Sequence, residues 1–382
     1  MAPPRPAEEG GSLDIARLKK SFARIAMHGD EVPLHFYSDL FLKHPEVRYM
    51  FPVSMQAQRA HLVDALATVV ASVEDPDRLA AFLADLGRDH RKFGTLAAHY
   101  DAVGDSLLAT FAHFSADSWD AGLAGDWQGA YELVAGLMTA AAQEDERHRP
   151  AYWAGTVIAQ ERRASDVAAL TVRTQPRLDY EPGQSVAIET PARPRLWRYY
   201  SMANAPRADA TLDFHVRMID GGAVSMALTA GAAVGTELRL GPPVGTLRLD
   251  AGSGRDILMV AGSTGLAPLK SMLEQVAQQR TAQRVHLFFG ARSAEGLYDL
   301  PSLEKMAAEH PWLTIVPAVS AGRFAGLTGR LPDVVTRYAD WSGHDAYLAG
   351  PTEMVQDTAA RLAAAGLPAP QIHVEDFGWS EP

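Results

Sequence analysis

The sequence predicts three domains: an all-α domain, an antiparallel β-barrel, and an α/β domain built on a doubly wound parallel sheet. In residues 13–146, apolar residues recur at helical spacing and no strand pattern appears. Residues 151–252 form short alternating segments cut by Pro and Gly, a pattern typical of antiparallel barrels. In residues 255–382, strand patterns alternate with helix patterns, which is typical of a parallel sheet.

The composition sets limits on fold and function. The 382 residues predict two or three domains, at about 100–200 residues per domain. Lys and Arg total 35 against 46 Asp and Glu, a net charge of −11 that argues against nucleic acid and anionic membranes as partners. The chain has no Cys, which excludes disulfides, Cys-ligated iron–sulfur clusters and thiolate-ligated haem. Any metal must be held by His, carboxylate or similar ligands.

The N-terminus indicates a protein outside the secretory route. Residues 1–12 are rich in Pro, Glu and Gly and contain no apolar core of a signal peptide, so we predict a disordered tail. No apolar run in the sequence reaches the roughly 18 residues that a membrane-spanning helix needs. We therefore expect a cytoplasmic monomer without nucleic-acid or membrane partners.

In the α domain, polar residues interrupt several apolar helix faces. Ser12 is expected to cap the first helix. Tyr37, Gln58 and His90 each lie on an apolar face, and burying them is costly unless something pairs with them. They are either satisfied core residues, or they line a haem ligated by the neutral imidazole of His90. Further helices are predicted over 32–43, 62–73, 79–86, 98–115 and 127–144.

In the predicted barrel, one polar and aromatic cluster stands out. The run Arg198-Tyr199-Tyr200-Ser201 offers a charge for a phosphate, a ring face for stacking and a hydroxyl for a ring edge. The alternative is an ordinary strand with an outward Arg. Barrel strands are predicted over 155–161, 168–175, 184–189, 212–218 and 236–240.

In the α/β domain, a Gly-rich loop follows the first predicted strand. Gly262 and Gly265 permit a close backbone approach, Thr264 lies between them, and Pro268 fits an early helical position. A helix N-terminus after such a loop can bind a pyrophosphate, although the loop could also be a tight turn without a ligand. Strands are predicted over 256–261, 285–289, 313–319, 346–348 and 372–374, and helices over 268–279, 301–310, 332–338 and 352–365.

These segments resemble the ferredoxin–NADP reductase-like flavoproteins. Five ordered motifs of that superfamily match the chain: Arg198-Tyr-Tyr200-Ser201, Gly222-Ala-Val224-Ser225, Gly262-Ser-Thr264-Gly265-Leu-Ala-Pro268, Ala349-Gly-Pro and Glu375-Asp-Phe377. The resemblance implies that Arg198 holds phosphate, Tyr200 packs on the isoalloxazine and Ser201 approaches its N5. It places Gly222, Val224 and Ser225 by the flavin pyrophosphate. It also implies that Glu375 and Phe377 lie near the flavin edge that faces the haem.

The α domain resembles a bacterial globin. His35-Phe-Tyr37-Ser-Asp-Leu-Phe41 matches the B-helix pattern, and Phe51 falls at the invariant corner Phe. Gln58 and Leu62 fall at the distal positions of the E helix. His90 falls at the position of the proximal haem ligand, and Tyr100 matches the Tyr that follows it. A globin followed by such a reductase resembles a flavohaemoglobin, which implies haem b, FAD and NAD(P)H as cofactors.

The resemblance implies nitric oxide dioxygenase activity, with electrons passing from NAD(P)H to FAD to haem. NO and O2 would become nitrate, with Tyr37 and Gln58 bonding the O2 and Phe51 and Leu62 lining an apolar path. NADH is favoured over NADPH, although Arg292 and Ser293 could meet a 2′-phosphate. The alternatives are a haem or flavin reductase acting on peroxide, nitrite or ferric iron, a redox or gas sensor, and a flavin reductase with a haem-less docking globin.

The chain departs from the family pattern at four positions. Ala142 falls where the family has the Glu that couples to the proximal His and to Tyr100, and Glu144 lies two residues further on. Three other common family residues are replaced: Lys by Asp89, an aromatic by Ser185, and Cys by Ala349.

Overall fold

The computed structural model describes residues 13–250, 252–279 and 283–375. Two compact units divide the chain, with the boundary between Ala151 and Tyr152. The predicted tail, residues 1–12, and Phe377 lie outside the described residues. Among the residues described, no helix is both long enough and apolar enough to cross a membrane.

The first unit is helical, as its apolar periodicity predicts. Its larger core includes Leu18, Ile25, Leu40 and Phe111, all buried, and a smaller core cluster is centred on Leu83. The helices of its described residues are α1 (Ile15–Ala26), α2 (Glu31–Lys43), α3 (Gln56–Ser72), α4 (Pro76–His90), α5 (Ala97–Ser115) and α6 (Ala121–Glu146).

Several helices begin before the predicted residues, α3 at Gln56 and α4 at Pro76 among them. At the starts of α1 and α6, which also differ from the prediction, Asp side chains form the caps. The Asp14 side chain, not Ser12, caps α1 by accepting from the backbone N of Arg17 at 2.9 Å. Ser12 itself lies outside the described residues. In the same way Asp120 accepts from the backbone N of Leu123 at 2.7 Å, so α6 begins at Ala121 rather than near 127.

The second unit begins with a curled antiparallel sheet. Its strands, in the order β4-β3-β6-β1-β2-β5, bring the two edge strands together at the Met202–Phe214 bridge. The buried faces enclose one apolar core. The elements are β1 (Trp153–Arg162), β2 (Val167–Gln175), β3 (Ser185–Thr190), β4 (Arg193–Ser201), β5 (Thr211–Arg217), α7 (Ala223–Gly231) and β6 (Glu237–Leu240).

The unit continues into a parallel sheet with helices on both faces. Its strand order is β10-β9-β8-β7-β11-β12, and β7 is buried on both faces as central parallel strands are. Apolar cores lie on both sides of it. The elements are β7 (Asp256–Gly262), α8 (Leu266–Gln279), β8 (Val285–Ala291), α9 (Leu300–Glu309), β9 (Leu313–Val319), β10 (Leu327–Thr328), α10 (Leu331–Tyr338), β11 (His344–Ala349), α11 (Thr352–Ala364) and β12 (Ile372–Val374).

Candidate functional site

His90 is oriented as a metal ligand. It ends α4, and its Nδ1 lies 2.7 Å from the carbonyl O of Leu86. A carbonyl only accepts, so Nδ1 carries the proton and Nε2 keeps a lone pair free to bind a metal. Burial lowers the pKa of the imidazole, which favours the neutral form that metals bind. The helix thus sets both the tautomer and the direction of the ring.

Tyr37, Gln58 and Phe51 come together where α2, α3 and the turn between them meet. The Tyr37 hydroxyl donates to the backbone carbonyl of Gln58 at 3.3 Å. The Tyr37 ring packs edge-on against Phe51, with 5.5 Å between centroids. Burial raises the pKa of Tyr37, so its hydroxyl stays protonated and able to donate.

The apolar side chains nearby fit a flat apolar group. Phe41, Phe51, Leu62 and Leu66 pack against the core of the helical unit, yet each is only half-buried. Within the described residues, no cluster of three His, Cys, Asp or Glu could hold a bare metal ion. One neutral imidazole and a set of half-buried apolar side chains in the same helical unit instead fit haem iron, whose equatorial ligands the porphyrin supplies.

Tyr100 lies on the His90 side of the unit, without the carboxylate that the resemblance leads one to expect. It packs against the cluster of Leu79, Leu83 and Met138, and burial raises the pKa of its hydroxyl. Glu144 does not serve it: its carboxylate is exposed and pairs with Arg147 at 2.7 Å. Ala142 stands at the position where the resemblance leads one to expect that Glu.

Ser201 and Glu375 meet although 174 residues separate them. Ser201 ends β4, and its hydroxyl donates to the Glu375 carboxylate, whose backbone N–H donates to Leu348 at 2.9 Å. Burial raises the pKa of Glu375 to about 7, against the opposing effect of the Ser201 hydrogen bond. Tyr200 is half-buried against the barrel core, whereas Arg198 is exposed.

The segment Gly222–Ser225 begins α7. Ser225 donates to the carbonyl of Gly222 at 3.0 Å and accepts from the backbone N of Ile219 at 3.2 Å, so its hydroxyl shapes the turn. Val224 is buried in the barrel core. No side chain in the described part of the chain caps α7, so its first N–H groups are available to an anion.

The Gly-rich loop requires its glycines for close packing. A Cβ at Gly262 would lie 2.7 Å from the Cε atom of Met354. A Cβ at Gly265 would collide with the carbonyl of Ala349 and the backbone N of Gly350. The loop therefore sits against the end of β11, at the carboxyl edge of the sheet where such folds bind nucleotides. The other two predicted loop residues are Thr264, half-buried, and Pro268, buried in the first turn of α8.

One buried ion-pair network was not predicted. Asp299, which is fully buried, accepts from Lys270 on α8 at 2.6 Å and from Arg163 of the barrel segment at 3.0 Å. It thereby fixes α8, the helix that follows the Gly-rich loop, to the barrel. Sequence gives no signal for it, because the three residues come from three separate segments.

The structure also places Asp89 and Ser185, which differ from the common family residues, and the candidate 2′-phosphate contacts Arg292 and Ser293. Asp89 pairs with the buried Lys92 at 2.5 Å. Ser185 is buried and directly opposite Ser201 across the β3–β4 pair. Arg292 and Ser293 are exposed and directly follow β8.

Comparisons with known proteins match all three domains. The family models that match are Globin over residues 34–138, Oxidoreductase FAD-binding domain over 154–249 and Oxidoreductase NAD-binding domain over 259–360. A flavohemoprotein of Rhizobium meliloti is 28% identical over 388 residues, covering 93% of this chain and 94% of its own length.

Two solved structures share the fold. The flavohemoglobin of Malassezia yamatoensis, solved with FAD and heme, superposes with a TM-score of 0.79 at 17% identity, covering 95% of this chain and 98% of its own. The FAD/NAD-binding domain of a nitric oxide dioxygenase from Vibrio cholerae superposes with a TM-score of 0.54 at 21% identity, covering 59% of this chain and 98% of its own. The chain therefore belongs to the flavohaemoglobin family, oxidoreductases in which a haem-binding globin is joined to FAD-binding and NAD-binding domains.

Proposed function

We propose that this chain is a cytoplasmic, NAD(P)H-dependent nitric oxide dioxygenase. Two NO and two O2 react with one NAD(P)H to give two nitrate ions, one NAD(P)⁺ and one proton. The observation that carries the proposal is the union, on one chain, of a reductase with a globin whose His90 presents a free Nε2. The nitric oxide dioxygenase domain of similar fold from Vibrio cholerae supports this choice of reaction.

In the reductase unit, the protein binds and orients. FAD supplies the chemistry that accepts a hydride and releases single electrons. The loop Gly262–Gly265 and the N-terminus of α8 would hold the nicotinamide nucleotide pyrophosphate, and the N-terminus of α7 would hold that of FAD. Ser201 would approach the flavin N5, and Glu375, which accepts from Ser201, would lie near the flavin edge that faces the haem. With a pKa of about 7, Glu375 gains or loses a proton near neutral pH.

In the globin unit, the protein supplies one ligand and two hydrogen-bonding groups. Haem iron supplies O2 binding and one-electron chemistry. His90 would hold the iron through Nε2, while its Nδ1–H donates to the Leu86 carbonyl. The Tyr37 hydroxyl donates to the Gln58 carbonyl, and together with the Gln58 side chain it would form the hydrogen bonds to bound O2. Phe51 and Leu62 line an apolar path suited to neutral diatomic gases.

One observation favours a second candidate function. Glu144 faces solvent and pairs with Arg147, so the Glu through which the family activates O2 is missing near Tyr100. A globin without that coupling could still reduce peroxide, nitrite or ferric iron with electrons from NAD(P)H. This candidate needs the same cofactors and differs only in the final acceptor.

NO consumption by the full-length holoenzyme separates the two functions. NO is added to air-saturated enzyme with NADH or NADPH, and NO, O2 and nitrate are followed. The dioxygenase predicts reductant-dependent NO loss with one nitrate formed per NO, faster with NADH, and loss of both in His90→Ala. If NO decays no faster than without enzyme while peroxide, nitrite or ferric iron is reduced, the second candidate replaces the first.

A further inference from the structure

A buried carboxylate pairs with Arg91, the residue that follows the end of the His90 helix. Asp145, near the end of α6, has a side chain only 5% exposed. It accepts from the guanidinium of Arg91, the residue after His90, and from Nε of Arg149. Arg91 also donates to the backbone carbonyl of Arg149 at 2.9 Å. A buried charge persists only when it is paired in this way.

The pair ties α4 to α6 just beyond the ligand. One turn before His90, the backbones of the two helices touch, since a Cβ at Gly87 would lie 2.7 Å from the Cα of Met138. Met138 and Asp145 are seven residues apart and therefore lie on the same face of α6. Two contacts thus bracket the last turn of α4, one at Gly87 and one at Arg91.

The bracketed turn is the one that orients the imidazole. The His90 Nδ1–H donates to Leu86, so the direction of Nε2 depends on the position of the backbone from residue 86 to residue 90. Neither Asp145 nor Arg91 touches the ring. Burial has the largest effect on the His90 pKa, and the charges that act on it are Asp89, which raises it, and Lys92, which lowers it, rather than Asp145. An effect of Asp145 on His90 must therefore pass through the backbone of the α4 end.

We propose that Asp145 is a positioning residue which, through Arg91, sets the orientation of His90 and the strength of its bond to iron. The inference rests on the proposed function, because it needs His90 to bind haem. Asp145 lies on the α6 face toward α4, about one turn beyond Ala142. It takes the place of the carboxylate that is missing at position 142, but it acts differently. Asp145 fixes the backbone at the end of α4 through Arg91 and makes no hydrogen bond to the imidazole or to Tyr100.

The experiment compares Asp145→Asn with a matched control, Asp126→Asn. Asp126 pairs with Arg17 in the same unit, with Arg17 Nε at 2.7 Å and an Asp126 side chain 13% exposed. The readouts are the iron–histidine stretching band of the reduced full-length holoprotein, by resonance Raman, and the rate of haem transfer to apomyoglobin. Breaking either pair lowers stability, but only the Asp145 pair adjoins His90.

We expect Asp145→Asn to shift and broaden the iron–histidine band and to speed haem transfer by roughly tenfold, the lower end of what losing a residue that orients a metal ligand costs. Asp126→Asn should leave the band unchanged. If Asp145→Asn does not fold, Arg91→Lys takes its place, because it keeps a cation but loses the second bond to Arg149; it should shift the band less.

An unchanged band in the folded Asp145 variant, or in Arg91→Lys where that replaces it, overturns the inference and leaves the proposed function intact. The inference is also overturned if the control shifts the band equally, because the effect would then be general loss of stability. If the wild-type holoprotein shows no iron–histidine band, the proposed function and this inference fail together.

Discussion

The close contact between α4 and α6 predicts that replacing Gly87 by Ala destabilises the protein, although Gly→Ala in a helix usually stabilises. In an exposed helix interior, Gly→Ala stabilises by about 1 kcal/mol because Gly has greater freedom in the unfolded chain. Gly87→Ala should do the opposite. Its Cβ would lie 2.7 Å from Cα and 2.8 Å from the carbonyl carbon of Met138, and closer still to the carbonyl oxygen. These are backbone atoms, which cannot rotate away.

The size of the effect follows from two opposing contributions. Forcing a carbon into a packed contact costs about 1–3 kcal/mol, and a backbone obstacle puts Gly87 at the upper end. Subtracting the helix propensity gain of about 1 kcal/mol leaves a net loss of about 2 kcal/mol. The last turn of α4 must also move, and because His90 is in it, haem retention should weaken as well.

Gly136→Ala on α6 is the matched control. Nothing lies within 4 Å of a Cβ built there, so this variant should be more stable than wild type by about 0.5–1 kcal/mol. Urea unfolding of the full-length holoprotein, followed by haem absorbance, compares the globin unit in both variants. If Gly87→Ala proves as stable as Gly136→Ala, α4 and α6 do not meet as described and the argument for the His90 turn is wrong.

Two further predictions concern the reductase unit. Gly265→Ala should abolish reduction of FAD by NADH while FAD remains bound, because the new Cβ would collide with the Ala349 carbonyl. Stopped-flow measurement of flavin bleaching by NADH checks this. Gly231→Ala is the control and should be unaffected, because nothing lies within 4 Å of a Cβ built there. Ser201→Ala should raise the pKa of Glu375 above its value of about 7. In the wild type the Ser201 hydrogen bond stabilises the ionised carboxylate, and the variant loses that stabilisation. At about 1.5–3 kcal/mol for a bond to a charged group and 1.36 kcal/mol per pKa unit, the rise is about 1–2 units. An infrared titration of the carboxyl band, assigned with Glu375→Gln, measures it, and an unchanged or lower pKa would count against the contact.

The parts of the fold that sequence predicted are those with a strong local pattern. The strand over 313–319 and the final strand over 372–374 are found at the predicted residues, because each is a short run of apolar residues between turns. The start of α6 was misplaced because its first residues, Ala121 to Asp126, include two Gly and show little apolar periodicity. The short helix α7, which Gly residues flank, was not predicted. The edge strand β4 was weighed as a strand only over Arg198–Ser201, because three Arg and a Pro among its first six residues obscure the strand pattern.

In the candidate site too, local motifs predicted individual residues but not the contacts between distant ones. Motifs identified Ser201 and Glu375 separately, but only the fold shows that one donates to the other. The glycines of the nucleotide loop were predicted for close approach, and the structure identifies β11 as the neighbour that requires them. Asp145 gave no signal, because its partner Arg91 lies 54 residues earlier and buried ion pairs between distant segments have no local pattern.

The central claim is that electrons from NAD(P)H reach a haem held by His90. An anaerobic visible spectrum of the purified full-length protein, recorded before and after NADH is added, tests it most directly. The account predicts a Soret band beside flavin absorbance, with flavin bleaching and a shift of the Soret band to the ferrous position. In His90→Ala the flavin should bleach without that ferrous shift. If the wild-type protein, reconstituted with haem, shows flavin bleaching alone, the globin does not accept electrons and the proposed dioxygenase is wrong.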